Sequence, residues 1–254
     1  MLLTVDVGNL HTVLGLYEGE KLVRHFRIQS DRGRTEDEYL VLMHTLVRIA
    51  QLDPTAVNAG IVASVVPSVT EWIVRAIKNA FGVEALVVGP GIKTGMPILY
   101  ENPKDVGADR IVNSIAAYER VHGALIVVDF GTATTFDCVS ARGEYMGGVI
   151  APGIVLSAEA LFARAARLPK VEIVKPPHVL GRNTVHAMQS GLVYGYVGLV
   201  DGIVERLRVE MGGPCPVLAT GGQAALIAPI SRTIETVDEH LTLDGLRILY
   251  ARQQ

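Results

Sequence analysis

The stretch Val-Val-Asp-Phe-Gly-Thr-Ala-Thr-Thr at residues 127–135 decides the fold, because it repeats in outline the stretch Thr-Val-Asp-Val-Gly-Asn at residues 4–9. In each copy an apolar β-branched run ends in an aspartate, Asp6 or Asp129, and a glycine and a small polar residue follow after one position. The two copies lie about half the chain apart. A strand–Asp–x–Gly–polar turn that occurs twice predicts a duplicated nucleotide-binding fold with phosphates held between the halves.

The residue types in this turn suit a bound phosphate and its metal ion. An aspartate at a strand end can hold Mg²⁺ directly or through water. The glycine lets the backbone approach a phosphate closely, and the N–H groups and hydroxyls after it can bind phosphate oxygens. A single copy would more often be an ordinary turn, since Asp-x-Gly is common turn chemistry. Two copies at matched positions favour the functional interpretation.

Composition narrows the class of protein. The chain has 254 residues, 49% of them hydrophobic, and a net charge of −3, so we expect a globular protein that binds no nucleic acid. Its two cysteines, Cys138 and Cys215, form no CxxC pair, which argues against a zinc site and fits the reducing cytoplasm. Asp6 interrupts the first apolar run, so we expect neither a signal peptide nor a membrane partner.

The hydrophobic pattern alternates between strands and helices after an initial three-strand meander, which predicts an α/β fold. The same order recurs in the second part of the chain. We therefore predict two similar halves, residues 1–122 and residues 123–254, each with a mixed sheet flanked by helices. The predicted helices include residues 154–168, a long helix over 184–211 and a helix over 224–230.

Two further segments could contribute to a nucleotide site in the second half. The second loop carries three threonines, whose hydroxyls can bind phosphate or a cation, although β-propensity alone would permit them. Asp129 and Asp137 on an apolar strand are harder to explain without a partner or a cation. At residues 219–224 a strand enters Gly221-Gly222 and then a helix, a turn that can pass the backbone beside an adenosine but is weak evidence alone.

The motif Gly107-Ala108-Asp109-Arg110 has two interpretations of similar weight. Asp109 at a helix start could be an N-cap. Alternatively Asp109 is a general base and Arg110 clamps an anionic substrate, as phosphoryl transfer to a hydroxyl requires. A glycine-rich segment at residues 147–153 suggests a tight strand–helix turn, and its residues alone indicate no function.

Taken in order, these motifs resemble those of the type III pantothenate kinases, which belong to the actin-like ATPase and sugar-kinase superfamily with its duplicated ribonuclease H-like fold. The resemblance covers the whole chain. It rests on Asp-Val-Gly-Asn at residues 6–9, Gly-Ala-Asp-Arg at 107–110, the stretch at 129–135, the glycine-rich segment at 147–153 and Gly-Gly-Gln-Ala at 221–224.

The resemblance implies ATP-dependent phosphorylation of pantothenate to 4′-phosphopantothenate, the first step of coenzyme A synthesis. It also implies ATP, Mg²⁺ and a monovalent cation, K⁺ or NH₄⁺, as cofactors, with Asp6 helping to place Mg²⁺ and Asp129 binding the monovalent ion. The residues expected to bind ATP are Asp6, Val7, Gly8, Asn9, Leu10, His11, Thr12, Val13, Thr132, Gly221 and Gly222.

The same resemblance implies a pantothenate site and a homodimer. The substrate would contact Tyr100, Gly107, Ala108, Asp109 and Arg110, with Asp109 as the proton acceptor, and Thr184 would reach it from the partner subunit. The residues support two of these points. A guanidinium such as that of Arg110 pairs well with a carboxylate. The long helix carries glycines at three- and four-residue spacing (191, 195, 198 and 202), which would permit close approach of a second helix in a symmetric dimer.

The chain departs from the family pattern at Leu10 and His11, where a hydroxyl residue and often an asparagine are usual. Leu10 cannot donate a side-chain hydrogen bond to phosphate, so we expect activity with weakened use of ATP. A non-catalytic transcription accessory factor of the same fold is the alternative function. Another kinase or phosphatase of the superfamily is a third possibility, although the zinc-binding cysteine cluster of one sugar-kinase group is absent.

Overall fold

The computed structural model describes residues 1–165 and 167–254, and these form two compact units. The first unit comprises Met1–Met96, Glu101–Ala116 and Leu241–Gln254, and the second comprises Pro97–Tyr100 and Ala117–His240. The predicted boundary between the duplicated halves, near residue 122, remains a prediction. Packing groups the residues differently from that boundary, because it assigns the last helix to the first unit. No helix among the described residues combines the length and apolar character that a membrane crossing needs.

The first part of the chain builds a five-stranded sheet from a meander and two parallel strands. Its elements are β1 (Leu2–Val7), β2 (His11–Glu18), β3 (Lys21–Gln29), α1 (Glu36–Ile49), β4 (Ala59–Ser64), α2 (Pro67–Phe81), β5 (Leu86–Val87) and α3 (Ala108–Val121). The strand order is β3-β2-β1-β4-β5, with β1 antiparallel to β2 and parallel to β4.

The second part of the chain repeats this arrangement. Its elements are β6 (Leu125–Phe130), β7 (Ala133–Val139), β8 (Tyr145–Pro152), α4 (Ile154–Arg164), α5 (Thr184–Glu210), β9 (Val217–Gly221), α6 (Ala224–Ile227), β10 (Thr236–Val237) and α7 (Leu241–Ala251). The sheet order is β8-β7-β6-β9-β10, with β6 antiparallel to β7 and parallel to β9. Because the two sheets have the same order and the same strand directions, the predicted α/β fold with two similar halves is confirmed.

Alternation along the strands explains how each sheet is covered. In the first unit, the buried side chains of Leu3, Val5 and Val7 on β1 join a core formed with α1 and α2. The opposite face of that sheet receives α7, whose Leu243 lies 3.0 Å from the Cβ position of Gly15. In the second unit, β6 and β7 turn apolar side chains towards α4, α5 and α6 in the same way. Burial of this kind contributes about 25 cal/mol per Å² of apolar surface.

Two predicted helices are several residues longer than those in the structure, and the long helix predicted over 184–211 ends one residue earlier, at Glu210. The helix predicted over 154–168 ends at Arg164, where Ala165 takes an extended conformation. Ala166, within that prediction, lies outside the described residues. The helix predicted over 224–230 is a single turn that ends at Ile227, since Pro229 has no N–H to continue the helical hydrogen bonds.

The start of α1 offers a direct test of the local sequence signals. Thr35 accepts a hydrogen bond from the backbone N–H of Glu38, and the Glu38 carboxylate accepts one from the backbone N–H of Thr35, forming a capping box. We expect Thr35→Ala to lower the free energy of unfolding by about 1 kcal/mol, because it leaves a helix N–H without its side-chain acceptor. Urea denaturation measures this change. Thr35→Ser is the matched control, since it retains the hydroxyl, and equal losses in both variants would contradict the prediction.

Candidate active site

The first predicted phosphate loop is a hairpin between β1 and β2. Asp6 lies one residue before the end of β1, where it pairs with Val13 of β2 and Ala63 of β4. The N–H of Gly8 donates to the carbonyl of His11 at 3.0 Å, which closes the turn. The side chains of Asn9, Leu10 and His11 are exposed. The hairpin therefore presents these residues to solvent directly beside the end of a buried central strand.

Ser30, which the sequence analysis did not identify, supports this loop from the end of β3. Its N–H donates to the carbonyl of Leu10 at 2.9 Å, and its hydroxyl shares a 2.8 Å hydrogen bond with the hydroxyl of Thr12. Thr12 is fully buried, so its hydroxyl serves the sheet, and its role towards ATP remains a prediction. The Leu10 side chain is 51% exposed and is not needed for the core.

The second predicted phosphate loop repeats the first with one residue fewer. Asp129 lies one residue before the end of β6 and pairs with Thr135 of β7 and Thr220 of β9. The N–H of Gly131 donates to the carbonyl of Ala133 at 3.0 Å. The two aspartates therefore occupy equivalent places in the two sheets, as the repeated motif predicts.

The second unit brings the predicted adenosine turn against the second loop. Gly221 ends β9 with a φ of +91°, and a Cβ atom there would lie 2.5 Å from Oδ1 of Asp129 and 2.7 Å from the backbone of Phe130. Both the dihedral and the close approach require glycine at this position. Gly222, the next residue, is exposed. Gly221 of the motif at 219–224 thus lies directly against Asp129.

Gly153 is a second residue whose role the sequence did not indicate. Its N–H donates to the carbonyl of Thr132 at 3.0 Å, and a Cβ atom there would lie 2.3 Å from that oxygen. Gly153, the last residue of the glycine-rich segment 147–153, therefore contacts the second loop and stabilises it. The signal was present in the sequence as a glycine before a helix, but its contact with Thr132 depends on strand pairing between β7 and β8.

The motif at 107–110 opens α3 within the first unit. Ala108 is the first residue of the helix and Asp109 the second, so Asp109 lies inside the first turn and is not the N-cap. Its Oδ1 accepts a hydrogen bond from the N–H of Arg110 at 2.9 Å. Burial raises the pKa of Asp109 above the ordinary value of 3.8, although the N–H and the positive charge of Arg110 oppose this rise.

This environment suits the chemistry predicted for the motif. A carboxylate with a raised pKa is a stronger base, which favours proton acceptance from a hydroxyl. Arg110 is also buried, with 6% of its surface exposed, and its positive charge acts on Asp109 within the first turn of α3. Gly107 is confined beside it, because a Cβ atom there would lie 2.5 Å from Oδ1 of Asp109.

Tyr100 and Thr184 lie in the second unit, at different places. The ring of Tyr100 is half-buried and its centroid lies 6.4 Å from that of Tyr145. Thr184 is exposed at the first position of α5, where the side chain of Asn183 caps the helix by accepting from the N–H of His186. A groove of about 800 Å³ between α4 and α5 includes Thr184 in its lining.

A metal ion at these loops would need oxygen ligands besides the carboxylate groups. Over the two described ranges, 1–165 and 167–254, no group of three or more His, Cys, Asp or Glu side chains is arranged to hold one. Mg²⁺ commonly keeps several waters and is held by one or two carboxylates together with substrate phosphates. A single carboxylate on each loop therefore fits a cation that is bound with a nucleotide.

Comparison with known sequences agrees with these motifs. The model of the family described as type III pantothenate kinase matches residues 2–206. A type III pantothenate kinase of Anaeromyxobacter sp. (strain Fw109-5) is 59% identical over 254 residues, which are 100% of both chains. The type III pantothenate kinase of Myxococcus xanthus (strain DK1622) is 56% identical over 252 residues, which are 99% of this chain and 98% of that relative.

Solved structures support the fold independently. A Campylobacter jejuni protein proposed to be a Baf family transcriptional activator has a TM-score of 0.61 at 18% identity, covering 99% of this chain and 98% of that one. The inorganic polyphosphate/ATP-glucomannokinase of Arthrobacter sp. strain KM has a TM-score of 0.51 at 13% identity, covering 100% and 99%. Likeness at such identities shows a shared fold alone. Because a family model matches residues 2–206 and full-length relatives are 56% and 59% identical, this chain belongs to the type III pantothenate kinase family.

Proposed function

We propose that this protein transfers the γ-phosphoryl group of ATP to the primary hydroxyl of pantothenate, giving 4′-phosphopantothenate and ADP at the first step of coenzyme A synthesis. The observation that carries the proposal is the Asp109–Arg110 turn, where a carboxyl with a raised pKa adjoins a buried guanidinium. The full-length similarity to type III pantothenate kinases supports the choice of substrate.

The proposed mechanism assigns the proton to Asp109. As the pantothenate hydroxyl oxygen forms its bond to the γ-phosphorus and the bond to the ADP oxygen breaks, the carboxylate of Asp109 accepts the hydroxyl proton. Arg110 binds the carboxylate of pantothenate through charge-assisted hydrogen bonds. Tyr100, Gly107 and Ala108 complete the substrate contacts. ATP, when bound, supplies the phosphoryl group and a good leaving group.

The two loops would hold the nucleotide and its cations. In the proposal, residues 6–13 and Thr132 bind the phosphates through backbone N–H groups and hydroxyls, and Gly221 and Gly222 adjoin the adenosine. Asp6 helps to place Mg²⁺, which neutralises the phosphate charge, and Asp129 binds K⁺ or NH₄⁺. The proximity of Gly221 to Asp129 supports placing the nucleotide and the monovalent ion on one surface.

A homodimer is the second part of the proposal, with α5 as its contact. The exposed side of α5 carries a row of small residues, namely Ala187, Gly191, Gly195 and Gly198, and Thr184 opens the same row. Cβ atoms on Gly191, Gly195 and Gly198 would have no neighbour within 4 Å among the described residues outside the local helix backbone, so packing within that part of the chain does not require these glycines. Close approach of a second helix would require them. Thr184 would then reach the partner's pantothenate.

We further propose a cytoplasmic location, which fits the two buried cysteines, neither of which forms a disulfide within the described residues. The transcription accessory factor remains the alternative, and the likeness to the Campylobacter jejuni protein supports only a shared fold. An ADP-release assay separates the two functions. Kinase activity predicts ADP release that depends on pantothenate and rises with K⁺, whereas no release with pantothenate, sugars or small acids would overturn the enzymatic proposal.

Substitution of the proposed base gives the sharpest test of mechanism. We expect Asp109→Asn to lower turnover by about 10²–10⁴-fold, because the amide cannot accept the proton. In the wild type, turnover should fall as the pH drops through the raised pKa of Asp109, since the protonated carboxyl is no base. That acid limb should be lost in the variant, as pH profiles of steady-state turnover would reveal.

The same variant should not unfold the protein. Because folding raises the pKa of Asp109, the ionised carboxylate lowers the stability of the native state at neutral pH, and a neutral amide removes that cost. Thermal melting should therefore show an unchanged or higher midpoint. Asp105→Asn, at an exposed carboxylate in the preceding turn, is the matched control with normal turnover. Near-normal turnover of Asp109→Asn would remove Asp109 from the proposed role.

The departure at residue 10 can be tested without disturbing the core, because Leu10 is 51% exposed. We expect Leu10→Thr to lower the apparent KM for ATP by about threefold to tenfold, since one neutral hydrogen bond contributes about 0.5–1.5 kcal/mol. Leu10→Val is the control, because valine has the shape of threonine without its hydroxyl. Equal KM values for the two variants would show that residue 10 makes no phosphate contact.

The proposed dimer contact predicts a change in oligomeric state. Gly195→Leu should move the molar mass from a dimer towards the 27.3 kDa chain, because the side chain would separate the helices at a position where an added Cβ atom clashes with none of the described residues. Light scattering after size exclusion at micromolar concentration measures this. Val41→Leu, at an exposed position on α1, should leave the dimer intact. A wild-type monomer, or a dimer unaffected by Gly195→Leu, would contradict the proposed contact.

A further inference from the structure

One face of the second sheet carries a polar cluster that the proposed mechanism does not use. Asp137 on β7 lies two residues beyond Thr135, so the two share a face with Asp129, to which Thr135 pairs. Asp137 is fully buried, and its Oδ1 accepts a 2.8 Å hydrogen bond from the hydroxyl of Tyr145, itself fully buried. Its Oδ2 accepts a 3.3 Å hydrogen bond from Thr135. The carboxyl group of Asp137 therefore holds the hydroxyl end of the Tyr145 side chain in place.

The backbone of Tyr145 holds the segment that carries Tyr100. The N–H of Tyr145 donates to the carbonyl of Pro97, and the carbonyl of Tyr145 accepts from the N–H of Leu99, both at 2.8 Å. These two hydrogen bonds form a parallel bridge between residue 98 and Tyr145. The segment 97–100 is thus attached to the start of β8 through one residue.

The side chain of Tyr145 also contacts the ring of Tyr100. The two ring centroids are 6.4 Å apart with an interplanar angle of 52°, within the range of aromatic pairs. The second support is Gly147, which has a φ of +126° and lies at the bulge between β7 and β8. A Cβ atom on Gly147 would be 3.6 Å from the Tyr100 ring, so the ring lies directly over that glycine.

We propose that Tyr145, held by Asp137, is a positioning residue that sets the orientation of Tyr100 for pantothenate. This inference rests on the proposed function, in which Tyr100 contacts the substrate. The ring of Tyr145 cannot shift without losing its hydrogen bond to Asp137, and Tyr100 packs against that ring. The hydroxyl of Tyr145 therefore acts on substrate binding through Tyr100, without touching the substrate.

Tyr145→Phe tests this proposal, because it removes the hydroxyl and keeps the ring and both backbone hydrogen bonds. We expect the KM for pantothenate to rise about threefold to tenfold, the scale of one hydrogen bond, while the KM for ATP changes less than twofold. A merely structural role would lower the fraction of active enzyme, reducing turnover without changing either KM. Tyr118→Phe is the matched control, because its hydroxyl donates to the Ala141 carbonyl at 3.3 Å and lies outside the cluster.

A double-mutant cycle with Tyr100→Leu distinguishes action through Tyr100 from an independent effect. If Tyr145 acts through Tyr100, Tyr145→Phe should have little further effect on the pantothenate KM once Tyr100 is replaced. Asp137→Asn should give a KM near that of the wild type, because its amide oxygen can still accept the Tyr145 hydrogen bond. Additive effects of Tyr145→Phe and Tyr100→Leu, or an unchanged pantothenate KM in Tyr145→Phe, would overturn the proposal.

The outcomes separate this inference from the proposed function. If the wild type releases no ADP with pantothenate, the function itself fails before any variant is compared. If the wild type is active and Tyr100→Leu binds pantothenate normally, the kinase proposal stands and the positioning role of Tyr145 falls with that of Tyr100. Melting temperatures of all variants identify any change that comes from unfolding alone.

Discussion

The structure depends on the placement of a carboxylate one residue before the end of a central strand. Asp6 on β1 and Asp129 on β6 both have an antiparallel neighbour on one side and a parallel neighbour on the other. Such a residue is held on both sides by strand pairing, so its backbone position is rigid although its strand is about to end. A polar group near the end of such a central strand can then bind a ligand with little further loss of conformational entropy.

The two halves use this arrangement with different local support. Ser30 braces the first loop from a neighbouring strand, through the carbonyl of Leu10 and the hydroxyl of Thr12. The second loop is one residue shorter and is confined by Gly153 against Thr132 and by Gly221 against Asp129. Glycine is needed at both of these contacts because main-chain atoms lie where a Cβ would be. In the proposed function the shorter, more tightly enclosed second loop would offer a fixed set of oxygen ligands, and the longer first loop would offer three exposed residues to a ligand.

The sequence predicts those parts of the structure that depend on neighbours along the chain. The repeated motif at residues 4–9 and 127–135 predicted two equivalent sheets, and the alternation of strands and helices predicted the α/β fold. What it missed depends on the register in which neighbouring strands pair. Ser30 and Gly153 look like ordinary turn residues until pairing of β2 with β3 and of β7 with β8 sets them against the loops. The end of α4 was also missed, since the apolar pattern continues beyond Arg164 while the backbone becomes extended.

The position of Asp109, a candidate site residue, combines effects that favour its charged form with burial that disfavours it. A carboxyl at the first turn of a helix gains from the helix dipole and from the Arg110 N–H, both of which favour its charged form. Burial acts in the opposite direction and prevails, so the pKa of Asp109 is raised. A residue selected only for stability would be more exposed or uncharged. In the proposed mechanism the partial burial of this acid serves its basicity, and capping is not its role, since the N-cap position precedes Ala108.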